Sequence, residues 1–229
     1  VDNVDLVAAQ QQDIPVCNVP EYCIDEVADH TLALILASTR QVVANANHVA
    51  QGNWGLATPV PAMTALKGQT VGVVGFGRIG REVISRLLPF KCKVLVSDPG
   101  VDAEAIHEAG AQPVELDQLL ATSDLITLHC PAIPATQHLI RSDTIQQMKP
   151  GAVLVNVARG AIVCTSDLIA ALESGRLGFA ALDVLEAEPP ATDDPVRTTP
   201  NTLIHSHVAS VSEATLPNFG YFPFAIARI

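Results

Sequence analysis

Residues 71–81 read VGVVGFGRIGR, and this run decides the fold. Gly75, Gly77 and Gly80 form G-x-G-x-x-G directly after an apolar strand-like run and at the start of a helix-like one. There the first glycine permits a tight turn, the second lets backbone approach a pyrophosphate, and the third allows close helix–strand packing. The N–H groups around Arg78 and Ile79 would then bind the phosphates from the helix N-terminus. Just downstream, the run KVLVSD ends in Asp98, 18 residues beyond Gly80. An acidic side chain there accepts from ribose hydroxyls and repels a 2′-phosphate, so the expected cofactor is NAD rather than NADP. Arg78 and Arg81 pull weakly the other way, since a nearby Arg accommodates that phosphate.

Further out, strand-like and helix-like runs alternate. Apolar runs fall at 71–75, 93–97, 124–129, 152–157, 179–184 and 203–206. Helix-like segments at 79–88, 102–109, 115–121, 142–148 and 166–174 lie between most of them, with Gly151 and Gly175 where helix C-termini are due. This alternation predicts an α/β fold, a doubly wound parallel sheet of the Rossmann-like kind. Upstream, IPVCNVP at 14–20 predicts a short strand ending in a proline-marked turn. Residues 24–50 lack Gly and Pro and predict one long apolar helix buried against a partner. Downstream, Pro217, Gly220 and Pro223 predict an irregular tail.

Composition narrows the function classes. The 229 residues are 48% hydrophobic and 16% charged, enough to bury a full core in one large or two small domains. Apolar runs are too short to span a bilayer, so no membrane partner is expected. A net charge of −11 argues against nucleic acid as a direct partner. The five cysteines include no C-x-x-C, so neither a disulfide framework nor a metal site is expected, and a reducing cytoplasm fits. The opening VDNVDLVAAQ reads like the middle of a domain, as if the chain were N-terminally incomplete.

The stretch 152–190 carries charges just past two buried runs: Arg159 after the first, Asp183 and Glu188 after the second. Ligands of open α/β sheets bind outside strand carboxyl ends, so these side chains should line a crevice. A guanidinium holds a substrate carboxylate in a fork of two hydrogen bonds. A histidine supplies a proton to a developing alkoxide, and a carboxylate beside it favours its protonated form. His207 is the candidate acid, Glu188 its carboxylate with Glu186 as rival, and Asp183 can accept from a nicotinamide carboxamide. Blander roles are expected for His129 and His205 (structural), Cys130 and Cys164 (small fillers), Arg40 and Arg176 (surface charges) and Trp54 (interface).

The chain resembles the D-isomer-specific 2-hydroxyacid dehydrogenases, a family that includes the C-terminal-binding-protein corepressors. The matching text includes EVADHTLALIL, GQTVGVVGFGRIGREV, LHCP, MKPGAVLVNVARGAIV, DLIAALESGRLGFAALDVLEAEP and HVAS. The resemblance implies Arg159, Glu188 and His207 as the catalytic trio. It also implies that Gly75, Gly77, Arg78, Ile79, Gly80, Asp98, Cys130, Pro131, Thr136, Val157, Ala158, Arg159, Asp183 and His207 line the NAD site. The implied organisation is the last part of a flavodoxin-like substrate domain at 1–23, the NAD-binding domain at 24–209, and a tail at 210–229 returning toward the substrate domain. The implied activity is interconversion of a D-2-hydroxy acid and a 2-keto acid by a homodimer joined through helix 24–50. The second reading is an NADH-responsive corepressor-like binding module. A formate-type branch is disfavoured, because it carries Gln where this chain has Glu188. Two departures stand out. His205 and Ser206 replace the family's usual Thr-Pro, which predicts a less firmly held His207. Cys164 replaces an acidic residue.

Overall fold

The computed structural model describes residues 4–17 and 21–215. The chain begins with helices α1 (Leu6–Gln11), α2 (Ile24–Arg40) and α3 (Val42–Ala50). Strands and helices then alternate as β1 (Thr70–Val74), α4 (Arg78–Leu87), β2 (Lys93–Ser97), α5 (Ala103–Glu108) and β3 (Gln112–Pro113). After them come α6 (Leu116–Thr122), β4 (Leu125–Leu128), α7 (Ser142–Gln147), β5 (Ala152–Asn156), α8 (Thr165–Glu173), β6 (Leu177–Leu182) and β7 (Thr202–Ile204). The strands form one sheet in the order β3-β2-β1-β4-β5-β6-β7, and every pairing is parallel. From β1 the chain winds outward to β3, then returns to start again at β4 on the other side. The order therefore reverses between β1 and β4, where an open α/β sheet leaves its crevice. The doubly wound α/β expectation is borne out, with element bounds shifted by one or two residues.

Alternation along the strands explains the two layers. Val71 and Val73 point to one face with Val94, Val96, Leu125 and Val155, under α2, α4 and α5. Val74, Leu95, Ile126, Leu128 and Leu154 point to the other, under α6, α7 and α8. Strands buried on both faces read as nearly continuous apolar runs, as these do. Gly151 and Gly175, both at positive φ, follow α7 and α8 as the sequence predicts.

Several local expectations need correction. Residues 24–50 are two helices, not one. Gln41 takes a left-handed conformation with φ 52°, and its side-chain amide donates to the Ser38 carbonyl. A glutamine that closes its own helix leaves no Gly or Pro to announce the break. The apolarity of α2 is spent inside this chain, where Val27, Ala28, Leu34 and Ile35 pack into the core against α4, β5 and β6. Only α3 and the segment after it leave Val42, Val43, Val49 and Trp54 exposed. Residues 14–17 form no strand, because the Ile14 N–H turns back to the Ala9 carbonyl and Pro15 has no N–H to give; residues 18–20 and the tail beyond 215 lie outside the described residues. Arg176 is no ordinary surface charge, since its guanidinium donates to the Gln146 and Met148 carbonyls at the end of α7. Among the described residues no helix is long and apolar enough to cross a membrane.

Because α2 covers the sheet under the crevice, its core residues should matter more than its apolar look suggests. Leu34 is 1% exposed. Leu34→Ala should cost about 3 kcal/mol through lost transfer energy and a cavity. For a domain of this size that lowers Tm by roughly 6–12 °C, readable by calorimetry. Glu108→Ala, exposed at the end of α5, should move Tm by less than about 2 °C.

Candidate active site

All the predicted site residues lie at the carboxyl end of the sheet. On the nucleotide side, Gly75 turns sharply after β1 at φ 102°. A Cβ there would stand 2.7 Å from the His129 carbonyl carbon, and one on Gly80 would stand 2.3 Å from the Gly75 oxygen. Gly77 instead faces open space and precedes α4 with no side-chain cap. The first N–H groups of α4, at Arg78 and Ile79, thus meet a clear approach that suits an anionic pyrophosphate. Asp98 sits just past β2. Its Oδ2 accepts from the Phe76 N–H at 2.8 Å and its Oδ1 from the Gly100 N–H at 2.9 Å. The carboxylate is thereby tied to the glycine turn, where the ribose of a dinucleotide would lie. Arg81 is engaged elsewhere: its guanidinium lies 4.6 Å over the Phe76 ring and its Nε donates to the Phe76 carbonyl.

After β4, Cys130 and Pro131 begin a loop braced by Thr136, whose hydroxyl donates to the Pro131 carbonyl and accepts from the Ile133 N–H. Burial pushes the Cys130 thiol up to about 11 and the His129 imidazole down to about 3. Both stay neutral, as filler roles require. His129 is also held by Thr127, 2.9 Å away.

The chemical side is built from the ends of β5, β6 and β7. Asn156, fully buried, donates to the Arg159 carbonyl and accepts from the Ala158 N–H. This buried amide shapes the Val157–Arg159 turn, and sequence reasoning passed over it. Arg159 lies near Cys23, whose thiol is pushed up to about 11 by burial first, then by Glu26, with Arg159 opposing. His207 Nδ1 stands 2.7 Å from Glu188 Oε2, while Glu188 Oε1 accepts from the Leu185 N–H at 2.8 Å. The geometry thus separates the two candidate carboxylates. Glu186 binds His138 at 2.5 Å and the Thr165 N–H at 2.6 Å instead. Partial burial works against its charge, but Thr165 and His138 outweigh it and hold the carboxyl below the ordinary range.

His207 itself has φ 58°, a left-handed conformation that a non-glycine residue keeps only when its surroundings impose it. The imposition comes from Asp183, which is 1% exposed. The His207 N–H donates to the Asp183 carbonyl, and the next two N–H groups, of Val208 and Ala209, donate to the two carboxylate oxygens. Ser206 stands where proline was expected, and the turn is tied to the neighbouring strand end by these three hydrogen bonds. His205 also differs from a lone packing histidine. Its Nδ1 lies 2.8 Å from His30 Nε2, with the rings edge to face. Burial pushes the His30 imidazole down, and Asp183 opposes that shift. A cavity of about 680 Å³ gathers His30, Asp183, Glu188, His205 and His207 on its wall.

The carboxyl end of the sheet thus holds a G-x-G-x-x-G turn at the switch point, an acid after β2 and a Glu–His pair past β6 and β7. The sequence model of the D-isomer specific 2-hydroxyacid dehydrogenase NAD binding domain matches residues 32–209. The chain belongs to this family.

Among D-isomer specific 2-hydroxyacid dehydrogenase relatives, the D-3-phosphoglycerate dehydrogenase of Archaeoglobus fulgidus is 38% identical over 220 residues, which cover 96% of this chain and 41% of the relative. The D-specific alpha-keto acid dehydrogenase of Enterococcus faecalis is 43% identical over 187 residues, covering 82% of this chain and 55% of the relative. The crystal structure of D-lactate dehydrogenase from Aquifex aeolicus, complexed with NAD and lactic acid, superposes with a TM-score of 0.87 at 31% identity, covering 100% of this chain and 72% of that one. The chain spans about two fifths to two thirds of the length of the curated relatives it matches. The matched domain is named for NAD, and the crevice fits that dinucleotide: a helix N-terminus with no side-chain cap, a glycine turn open at Gly77 and a tethered acid. The expectation of NAD is borne out.

Proposed function

We propose that this chain is the nucleotide-binding lobe of an NAD-dependent oxidoreductase that interconverts a D-2-hydroxy acid and its 2-keto acid. The observation that carries the reading is the 2.7 Å contact between His207 Nδ1 and Glu188 Oε2. With Nδ1 directed at Glu188, Nε2 is the atom left to hold a moving proton. Arg159, one strand over, takes the substrate carboxylate through its guanidinium. NADH, when bound, supplies the hydride. His207 Nε2 then gives its proton to the carbonyl oxygen as that oxygen gains charge, and Glu188 stabilises the protonated imidazole until then. In the oxidative direction the same nitrogen takes the hydroxyl proton. Gly77 leaves backbone room for the pyrophosphate, Gly75 and Gly80 close the turn behind it, and the N–H groups at Arg78 and Ile79 lie beside it. Asp98 meets the ribose; Cys130, Pro131, Thr136, Val157 and Ala158 wall the pocket. Each Asp183 oxygen keeps a second lone pair, enough to accept from the nicotinamide carboxamide.

In this reading residues 24–209 are the NAD-binding domain, while residues 1–23 and 210–229 belong with a flavodoxin-like substrate domain. A homodimer through α2 and α3 would cover Val42, Val43 and Val49, which are exposed. Five free thiols suit a cytoplasmic setting.

The test is NADH consumption with a panel of 2-keto acids, repeated with NADPH. Turnover of at least one acid is expected, with a preference for NADH of roughly tenfold or more, because Asp98 repels a 2′-phosphate. NADH binding without turnover of any acid, also when the lobe is joined to a complete substrate domain, would reject the enzyme reading in favour of a nucleotide-responsive binding module.

A further inference from the structure

We propose that His30, Asp183 and His205 form a binding site for a zinc-type divalent cation at the rim of the crevice. Their candidate donor atoms all lie within 4.8 Å of one another. His30 Nε2 stands 2.8 Å from His205 Nδ1 and 3.7 Å from Asp183 Oδ1. Zinc bonds to nitrogen and oxygen of about 2.0–2.2 Å place neighbouring donors of a tetrahedron roughly 3.3–3.5 Å apart. The two separations from His30 straddle that range, so small side-chain shifts bring His30 to ligand spacing from both partners. Two imidazoles and a carboxylate form a common three-ligand set for zinc, with a fourth position left for water. All three face the cavity of about 680 Å³, which gives an ion a way in.

The donors stand on fixed backbone. His30 is on α2, between the buried residues Val27, Ala28, Thr31 and Leu32. His205 is anchored by its N–H to the Leu182 carbonyl. Asp183 is held by the Val208 and Ala209 N–H groups, and its Oδ1 retains a lone pair for an ion. Such outer hydrogen bonds orient metal ligands. No local spacing could show this site, since its donors lie at positions 30, 183 and 205, which explains why cysteine counting predicted no metal. The geometry stands whether or not the chain turns over hydroxy acids. If Asp183 also meets the nicotinamide, bound zinc and NADH draw on one carboxylate, and zinc should weaken NADH binding.

Isothermal titration of the protein with zinc chloride tests the site, alongside the visible absorption of its cobalt(II) form. A Cys164→Ser background disrupts the other donor group found among the described residues, that of His138, Cys164 and Glu186. One equivalent should bind, with affinity falling roughly 100-fold in both His30→Asn and His205→Thr and the cobalt band lost in each. Far-UV circular dichroism verifies that both variants are folded. Zinc affinity unchanged in the two folded variants, or no zinc bound by the parent protein, would overturn the proposal.

Discussion

His207→Asn should lower kcat for 2-keto acid reduction by roughly 10²–10⁴-fold, the usual contribution of a positioned acid–base group. NADH affinity should stay within about threefold, because the change removes a proton donor and leaves the nucleotide turn untouched. Asn is chosen over Ala for a backbone reason. Position 207 sits at φ 58°, where Asn is at ease and Ala is strained. The amide can also keep a hydrogen bond to Glu188, so that carboxylate is not left unpaired. Single-turnover kinetics with NADH fluorescence would separate the two effects. A variant with the parent's kcat would remove His207 from the chemistry.

Gly160→Ala should be among the most damaging single changes in the chain. A Cβ at this position would stand 1.9 Å from the Leu185 oxygen and 2.0 Å from the Leu185 carbonyl carbon. Both are backbone atoms, so no side chain can swing aside. The turn after Arg159 and the segment leading to Glu188 are pressed together there. We expect a loss of about 3–5 kcal/mol and a Tm lower by roughly 6–20 °C. Arg159 and Glu188 flank the contact, so kcat/KM should fall as well in the fraction that stays folded. Differential scanning calorimetry settles the first point. A Tm within about 2 °C of the parent would mean that the two segments part easily.

Much of this fold is legible in the chain because its strands are buried on both faces. Continuous apolar runs, punctuated by Gly151 and Gly175, leave little choice about where strands and helices fall. The glycine turn and Asp98 were readable for another reason: residue type and spacing mark them, although Asp98 closes onto Phe76 and Gly75 lies against His129, both far along the chain. What escaped was whatever depends, without such a mark, on a partner far along the chain or on an unmarked backbone choice. Gln41 breaks a helix with a side chain that carries no breaker signal. β3 is two residues long and contains Pro113, which an edge strand tolerates and a propensity argument rejects. Glu186 and Glu188 are two residues apart and chemically alike; only the fold shows one turned to His138 and the other to His207. The His30–His205 contact joins residues 175 positions apart, beyond any local pattern.

The clamp at Asp183 has a consequence for how this protein tolerates change. A turn held by its own preceding residues constrains them, and a proline before the histidine would be one such constraint. Here the hold comes sideways, from a carboxylate and a carbonyl on the adjacent strand end. Position 206 is relieved of that duty, so a change of side chain at Ser206 leaves all three hydrogen bonds of the turn in place.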